Sequence, residues 1–176
     1  GLDSNLSYRS SPSGEVELRS ILLKVNINSS DKILDIGCGK GKAMATMLKF
    51  PFLRVDGIEI SDKISLIAMN NMIKLNQSHR AKIECINALE YSDYSNYNIF
   101  YFYNPFPISI MNEVISKILK TVNFIDEVII IYNNPTCEDV ILNQGVFNQL
   151  LCIKNEWGDL MKVYSNRDAL SSRISK

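Results

Sequence analysis

A carboxylate and three closely spaced glycines stand together in the segment 35–41, which reads DIGCGKG. An apolar run ends at Asp35, and Gly37, Gly39 and Gly41 occupy alternate positions after it. Glycine allows positive φ angles and lets a ligand approach the backbone without a Cβ in the way. A helix that begins after such a loop adds free N–H groups to the binding surface. The segment is therefore typical of a loop that binds a nucleotide-like ligand.

Two kinds of ligand compete for this loop. The dinucleotide fingerprint is G-x-G-x-x-G, with the helix N-terminus facing a pyrophosphate. Here Gly41 comes one residue too early, and Lys42 occupies the place of the last glycine. The carboxylate of Asp35 suits a positively charged ligand better than one that carries phosphates. A tight strand-to-helix turn without a ligand is the third interpretation, but a turn needs one or two glycines rather than three.

Polar residues also end the next two predicted strands. Glu59 ends the second, where a carboxylate can accept hydrogen bonds from both hydroxyl groups of a ribose. The same chemistry would serve an adenine dinucleotide, so Glu59 alone does not separate the two cofactors. Asn87 and Ala88 follow the third strand, at a place where asparagine is equally typical of a turn.

The fourth predicted strand ends in the segment 103–107, which reads YNPFP. Its two prolines stiffen the loop and fix the directions of Asn104 and Phe106. The Asn104 carbonyl can accept a hydrogen bond from an N–H or O–H group, and Phe106 can stack on a flat substrate. The fifth strand ends in YNNP at 132–135, for which a loop role is favoured over a second wall of the same pocket.

Strands and helices alternate along the chain. Short apolar runs predict seven strands, at 32–36, 54–60, 81–86, 98–103, 127–132, 147–153 and 160–164. Helical spacing predicts five helices, which begin after Ser13, span 41–50, begin at Ser61 or Asp62, span 108–121 and lie near 137–143. This alternation indicates an α/β fold with helices on both faces of a mostly parallel sheet. The last two strands predict an antiparallel C-terminal hairpin.

The apolar stripes of three helices predict which faces pack on the sheet. The first contains Leu18, Ile21, Leu22 and Val25, the third contains Ile64, Ile67, Ala68, Met72 and Leu75, and the fourth contains Met111, Val114, Ile115, Ile118 and Leu119.

The totals suit one domain with its own core, because the chain has 176 residues, of which 46% are hydrophobic. We expect a single domain over 1–176, with 1–12 as a polar leader in which Tyr8 could cover the cleft. The 19 basic and 19 acidic residues balance, which argues against a protein that wraps nucleic acid. A local basic patch stays compatible with this neutral total.

The four cysteines, Cys38, Cys85, Cys137 and Cys152, show no C-x-x-C spacing, so we expect no structural zinc. Three of them lie in apolar runs, which favours buried free thiols in a reducing compartment. Without a signal peptide or a stretch of membrane-spanning length, the chain is expected to be cytoplasmic. The single histidine, His79, follows the third helix in a polar loop and is expected to be exposed and non-catalytic.

The motif DIGCGKG resembles the first motif of class I S-adenosylmethionine-dependent methyltransferases, and the order of elements resembles their seven-stranded Rossmann-like fold. The resemblance implies S-adenosyl-L-methionine as cofactor, whose ammonium and sulfonium groups suit Asp35. It also implies that Glu59 binds the ribose and that the residue after the third strand contacts the adenine. The implied cofactor-binding residues are Asp35, Gly37, Cys38, Gly39, Gly41, Glu59, Asn87 and Ala88.

The end of the fourth strand resembles the N-P-P-[FY] motif of amino-methyltransferases that act on adenine, cytosine or glutamine. One proline separates Asn104 from Phe106, where those enzymes have two, which shifts the aromatic ring relative to the amide. The segment is more similar to small bacterial methyltransferases in which N-P-F ends the fourth strand. The resemblance implies that Asn104, Pro105 and Phe106 form the acceptor side and carry catalysis.

We therefore expect transfer of a methyl group to an N or O atom of a small-molecule acceptor, with catalysis by placement and without a metal. A nucleic-acid or protein amine is the alternative acceptor. Two other classes also stay open, an NAD-dependent oxidoreductase and a cofactor-binding subunit without catalysis. The sequence leaves the acceptor and the oligomeric state undetermined.

Overall fold

The computed structural model describes residues 14–122 and 126–168, in which seven strands form one sheet. The strands are β1 (Lys32–Ile36), β2 (Arg54–Glu59), β3 (Ile83–Cys85), β4 (Ile99–Tyr103), β5 (Ile129–Asn133), β6 (Asn148–Lys154) and β7 (Leu160–Ser165). Their order across the sheet is β3-β2-β1-β4-β5-β7-β6. Strands β1 to β5 pair in parallel, and β7 pairs antiparallel with both β5 and β6. The predicted fold class and its reversed hairpin are confirmed.

The described part of the chain contains five α-helices: α1 (Gly14–Val25), α2 (Lys42–Met47), α3 (Asp62–Lys74), α4 (Ile108–Thr121) and α5 (Glu138–Leu142). A short 3₁₀-helix, Asp93–Asn96, lies between β3 and β4. The first three helices pack on one face of the sheet, and α4, α5 and the 3₁₀-helix cover the other. Because both faces are covered, the central strands are apolar almost throughout, as buried parallel strands usually are.

The strand order reverses between β1 and β4, which are neighbours although two other strands separate them along the chain. Connections leave these two strands toward opposite faces of the sheet, so a crevice opens above their carboxyl ends. The loops after β1, β2, β3 and β4 all reach this edge. The fold therefore gathers the polar strand ends that the sequence singles out.

The predicted buried faces of α1 and α4 are confirmed. The predicted buried face of α3 is wrong, because the residues that are buried are shifted by about one position along the helix. The inward residues of α1 are buried as expected, and α4 buries all its predicted residues except Leu119, which is half-buried. In α3 the buried residues are Ser65, Ala68 and Met72, whereas Ile67 and Leu75 are 41% and 48% exposed. The helix is apolar on several sides, so its periodicity does not select one face. Ser13 and the 1–12 leader lie outside the described residues.

The cysteines are free, but only two are buried. Cys38 and Cys137 lie in the interior, whereas Cys85 and Cys152 are exposed, which corrects the expectation of buried thiols. The reason is sheet position, because β3 and β6 are the two edge strands and one side of each is open to solvent. His79 is exposed, as expected. Among the described residues, no helix combines the length and apolar character needed to cross a membrane.

The orientation of α3 can be tested with two substitutions on the same helix. We expect Met72→Ala to lower the free energy of unfolding by about 2–5 kcal/mol, because it opens a cavity in the core. Ile67→Ala is expected to change it by about 0.5 kcal/mol or less, since that side chain is largely exposed. Urea unfolding measures both. Losses of similar size for the two variants would support the face predicted from periodicity, which contains both side chains.

Candidate functional site

A cavity of about 210 Å³ lies at the carboxyl edge of the sheet, beside the point where the strand order reverses. Its walls come from the loops after β1, β2, β3 and β4. The lining residues are Gly37, Ile58, Glu59, Ile60, Ile86, Asn87, Ala88, Tyr103, Pro105 and Phe106. Six of them, Gly37, Glu59, Asn87, Ala88, Pro105 and Phe106, are residues that the sequence singles out. Ile60, Ile86 and Tyr103 add apolar walls that the sequence does not single out.

The glycine loop after β1 is a backbone structure that other residues would strain. Gly37, Gly39 and Gly41 have φ angles of 79°, 55° and 78°, in the left-handed region. A Cβ on Gly37 would also lie 3.0 Å from Cβ of Pro105, across the cleft. The N–H groups of Gly37 and Cys38 donate to the carbonyl oxygen of Ile58, at 2.9 and 3.0 Å. The loop is thereby fixed to the end of β2.

Cys38 is predicted to contact the cofactor, but its side chain points into the core. A Cβ on Gly57 of β2 would lie 2.8 Å from both Sγ of Cys38 and Sδ of Met44, so these side chains pack against bare backbone. Burial and the nearby carboxylates of Asp35 and Glu59 raise the pKa of the Cys38 thiol. Any contribution of Cys38 to the cleft is therefore a main-chain one.

Glu59 lies in the cleft and holds two loops with its carboxylate. Its Oε2 accepts the N–H of Gly39 at 3.1 Å, and its Oε1 accepts the N–H of Ser61 at 3.0 Å. Each oxygen keeps a second lone pair, so the carboxylate can still accept hydrogen bonds from a ligand. Glu59 thus has a structural role that its position in the sequence does not indicate.

Asp35 is 2% exposed, and its Oδ2 has no hydrogen-bond partner among the residues that the structure describes. Burial is the main reason that the pKa of this carboxyl rises from 3.8 to about 8, and the nearby Glu59 adds to the rise. A buried carboxylate without a partner is costly, so the group keeps its proton at neutral pH. The site therefore holds an acid that a cationic group would complete.

The raised pKa of Asp35 has a consequence for stability. The unfolded chain releases this proton near pH 4 and the folded chain near pH 8, so the stabilising effect of the proton is lost as the pH rises through this window. The free energy of unfolding should therefore fall between pH 4 and 8 more steeply than in Asp35→Asn, which has no group to titrate. Urea unfolding of both proteins from pH 5 to 9 measures this difference. A constant difference across that range would contradict the assigned protonation.

Asn87 and Ala88 line the cleft, and Asn87 also organises a turn. Its side-chain Oδ1 accepts the N–H of Leu89 at 2.9 Å, and its carbonyl accepts the N–H groups of Glu90 and Tyr91. The turn interpretation of this asparagine is thus observed. Asn87, its chain neighbours Ile86 and Ala88, and Ile60 from the loop after β2 all line the cleft.

The loop after β4 is held by the loop after β5. Asn104 has a φ angle of 39°, and its Oδ1 accepts a hydrogen bond from the Thr136 hydroxyl at 2.5 Å. Asn104 itself is not among the cavity-lining residues, whereas its neighbours Tyr103, Pro105 and Phe106 are. Thr136 and Asn104 are 32 positions apart in the chain. No local pattern indicates their contact, which is why the sequence did not reveal Thr136.

The YNNP segment 132–135 includes the last two residues of β5, and none of its four residues lines the cavity. Tyr132 and Asn133 are buried, and the Asn133 amide donates to the hydroxyl of Tyr101 at 3.3 Å. Asn134 has a φ angle of 52° and donates its N–H to the carbonyl of Leu160 at 2.8 Å. This segment therefore connects β4 with the beginning of β7.

No protein-family model matches the sequence, and no curated protein matches it significantly. Solved structures do match the fold. An RNA methyltransferase from Salinibacter ruber in complex with S-adenosyl-L-homocysteine has a TM-score of 0.71 and 13% identity, over 90% of this chain and 95% of that chain. N-methyltransferase NodS from Bradyrhizobium japonicum WM9, with the same ligand, has a TM-score of 0.69 and 14% identity, over 91% and 90% of the two chains.

A third similar structure has a different described activity. The [4+2]-cyclase SpnF has a TM-score of 0.64 and 17% identity, over 79% of this chain and 60% of that chain. At these identities the likeness establishes the fold alone, a Rossmann-like sheet that the two methyltransferases share. Function has to be argued from the residues of the cleft.

Proposed function

We propose that this chain binds S-adenosyl-L-methionine and transfers its methyl group to an N or O atom of a small-molecule acceptor. The observation that carries the proposal is the buried, unpartnered carboxyl of Asp35 beneath a glycine loop that opens into the cleft. A ligand with a cationic group completes such a site, whereas a pyrophosphate would lie against two acids, Asp35 and Glu59. Complexes of two similar structures with S-adenosyl-L-homocysteine agree with this choice.

The residues of the cleft fit this cofactor. Asp35 would face its ammonium group, and the bare backbone of Gly37 and Gly39 would lie against its amino-acid part. Glu59 has a free lone pair on each oxygen for the two ribose hydroxyls. The apolar side chains of Ile60 and Ile86 would hold the adenine on its two faces, with Asn87 and Ala88 at its edge. When bound, the cofactor supplies a methyl group on a good leaving group.

The acceptor would enter on the side of the cleft that Tyr103, Pro105 and Phe106 form. Methyl transfer then needs an acceptor atom held in line with the methyl carbon, which is an effect of proximity and orientation. The Thr136 hydroxyl fixes the Asn104 side chain, and Asn104 would orient the acceptor through its amide. His79 is exposed at the other edge of the sheet, so it does not serve as a base. We propose catalysis by placement, carried by Asn104, Pro105 and Phe106.

Three other functions are distinguished by the ligand that the protein would bind or turn over. An NAD-dependent oxidoreductase would bind NAD in the same cleft, a nucleic-acid methyltransferase would bind RNA, and a non-catalytic subunit would bind the cofactor without turning over an acceptor. The similar RNA methyltransferase favours the second of these. The neutral loops at the acceptor side favour a small molecule instead.

Calorimetry can test the cofactor directly. We expect S-adenosyl-L-homocysteine to bind and NAD not to bind. Glu59→Ala should weaken binding by roughly 10- to 100-fold, because two charge-assisted hydrogen bonds to the ribose are lost. Glu59→Gln should lose less, since it keeps one side-chain oxygen that can accept hydrogen bonds.

Asn104→Ala is the matched control on the acceptor side. It should leave the affinity for S-adenosyl-L-homocysteine nearly intact while removing methyl transfer to any acceptor that wild type uses. If wild type and Glu59→Ala bind S-adenosyl-L-homocysteine with equal affinity, Glu59 does not bind the ribose. A large loss of affinity in Asn104→Ala would place that residue on the cofactor side instead.

A further inference from the structure

The carboxyl edge of the sheet continues past the cleft to a tryptophan that the proposed function does not yet use. Because β7 runs antiparallel to β5 and β6 antiparallel to β7, the turn between β6 and β7 lies at the same edge as the cleft. Trp157 is the middle residue of this turn and is 62% exposed. It is also the only tryptophan of the chain.

The turn that carries Trp157 is rigidly built. The Asn155 side-chain oxygen accepts the N–H groups of Trp157 and Asp159, at 3.0 and 2.8 Å. The Asn155 amide also donates to the Asp159 carboxylate at 3.0 Å, and its backbone N–H donates to the Asp159 carbonyl at 2.9 Å. Because these bonds already fix the turn backbone, it loses little conformational freedom when a ring stacks on the indole, which favours binding.

Hydrogen bonds connect this turn to the cleft without a break. Leu160, which begins β7, accepts the N–H of Asn134 at 2.8 Å, and Asn134 accepts the N–H of Thr136 at 2.9 Å. Thr136 in turn holds Asn104, next to the cleft residues Pro105 and Phe106. From the end of β4 to this turn is between two and three strand spacings, or about 10–14 Å. An elongated small molecule can cover that distance.

Several exposed or partly exposed side chains along this rim are apolar or aromatic, beside exposed charged ones such as Lys154, Glu156 and Asp159. Tyr103 is 50% exposed, Ile108 is 61% exposed and Trp157 is 62% exposed, and Phe106 lies partly open in the cleft. Single exposed apolar side chains are normal on a protein surface. Here four lie at one edge of the sheet: Tyr103 and Phe106 line the cleft, and Trp157 lies two to three strands away. Aromatic side chains at both ends of this stretch would suit an elongated ligand that carries a ring.

The charges on this side do not suit a phosphate. The segments 103–107 and 132–137 contain no charged residue. Around them are three acidic residues, Glu138, Glu156 and Asp159, and two basic ones, Lys154 and Lys162. Lys162 is bound to Glu138 at 2.5 Å, and its side chain is only 13% exposed. Nucleic acids and nucleotides need cationic side chains for their phosphates, whereas a neutral or cationic ring does not.

We infer that the acceptor is a small aromatic amine without phosphate or carboxylate, whose ring stacks on Trp157 while its reacting end lies at Asn104 and Phe106. The inference rests on the proposed function and names the substrate class for the same site. The amine end would then lie against the segments 103–107 and 132–137, which contain no cationic side chain to repel it, while the ring would stack on the indole.

Because the chain has one tryptophan, its fluorescence reports on this rim directly. Wild type saturated with S-adenosyl-L-homocysteine would be titrated with 4-phenylbutylamine, 4-phenylbutyrate, hexylamine and a 12-nucleotide single-stranded RNA. We expect the aromatic amine to shift the Trp157 emission and to bind at least about tenfold more tightly than each of the other three. Equal binding of the carboxylate or tighter binding of the RNA would overturn the substrate class, as would no response to the amine.

Variants measured by saturation-transfer NMR assign the effect to the indole. Trp157→Ala should weaken binding of 4-phenylbutylamine by roughly threefold to tenfold, and Trp157→Phe should keep most of the affinity. Ile73→Ala, an exposed apolar change on α3, is the control and should have no effect. Unchanged binding in Trp157→Ala would contradict the stacking role. Calorimetry of S-adenosyl-L-homocysteine in each sample separates failure of this inference from failure of the proposed function.

Discussion

The cleft is organised around a buried carboxyl group, one oxygen of which has no hydrogen-bond partner among the residues that the structure describes. Asp35 sits at the carboxyl end of a central strand, 2% exposed, with Glu59 close enough to raise its pKa further. Ionising it in this place is costly, and no cationic side chain of the described residues acts on its pKa, which burial and Glu59 both raise. In the protein alone, the carboxyl is neutralised by its proton. A ligand with an ammonium group could replace that proton, and this exchange is the physical basis of the proposed cofactor.

The second acid has the opposite character. Both oxygens of Glu59 already accept backbone N–H groups, one from the glycine loop and one from the beginning of α3. Glu59 thus fixes the loop whose bare backbone the ligand would contact, and it keeps lone pairs for that ligand. The two acids therefore have different roles. Glu59 fixes the loop that lines the cleft, and Asp35 favours a ligand that carries a positive charge. Preorganisation of this kind lowers the entropy lost on binding.

The sequence predicts the strands and the ligand loop well because these depend on local patterns. Apolar runs fix β1, and positive φ explains the glycines at 37, 39 and 41. The features that the sequence does not predict depend on tertiary contacts. The face of α3 is set by Gly41, since a Cβ there would lie 3.0 Å from Met72 and 3.6 Å from Ala68, and the apolar pattern of α3 does not record this. Likewise, the Thr136–Asn104 bond and the distance from Trp157 to the cleft follow from strand order.

Proton release on cofactor binding tests the role of Asp35 most directly. Calorimetric titration of S-adenosyl-L-homocysteine at pH 7 in phosphate and in Tris, whose ionisation enthalpies differ, counts the protons exchanged. Because the pKa of Asp35 is about 8, we expect release of nearly one proton per ligand from wild type and nearly none from Asp35→Asn. Binding to wild type with the same enthalpy in both buffers, and thus without proton release, would contradict it.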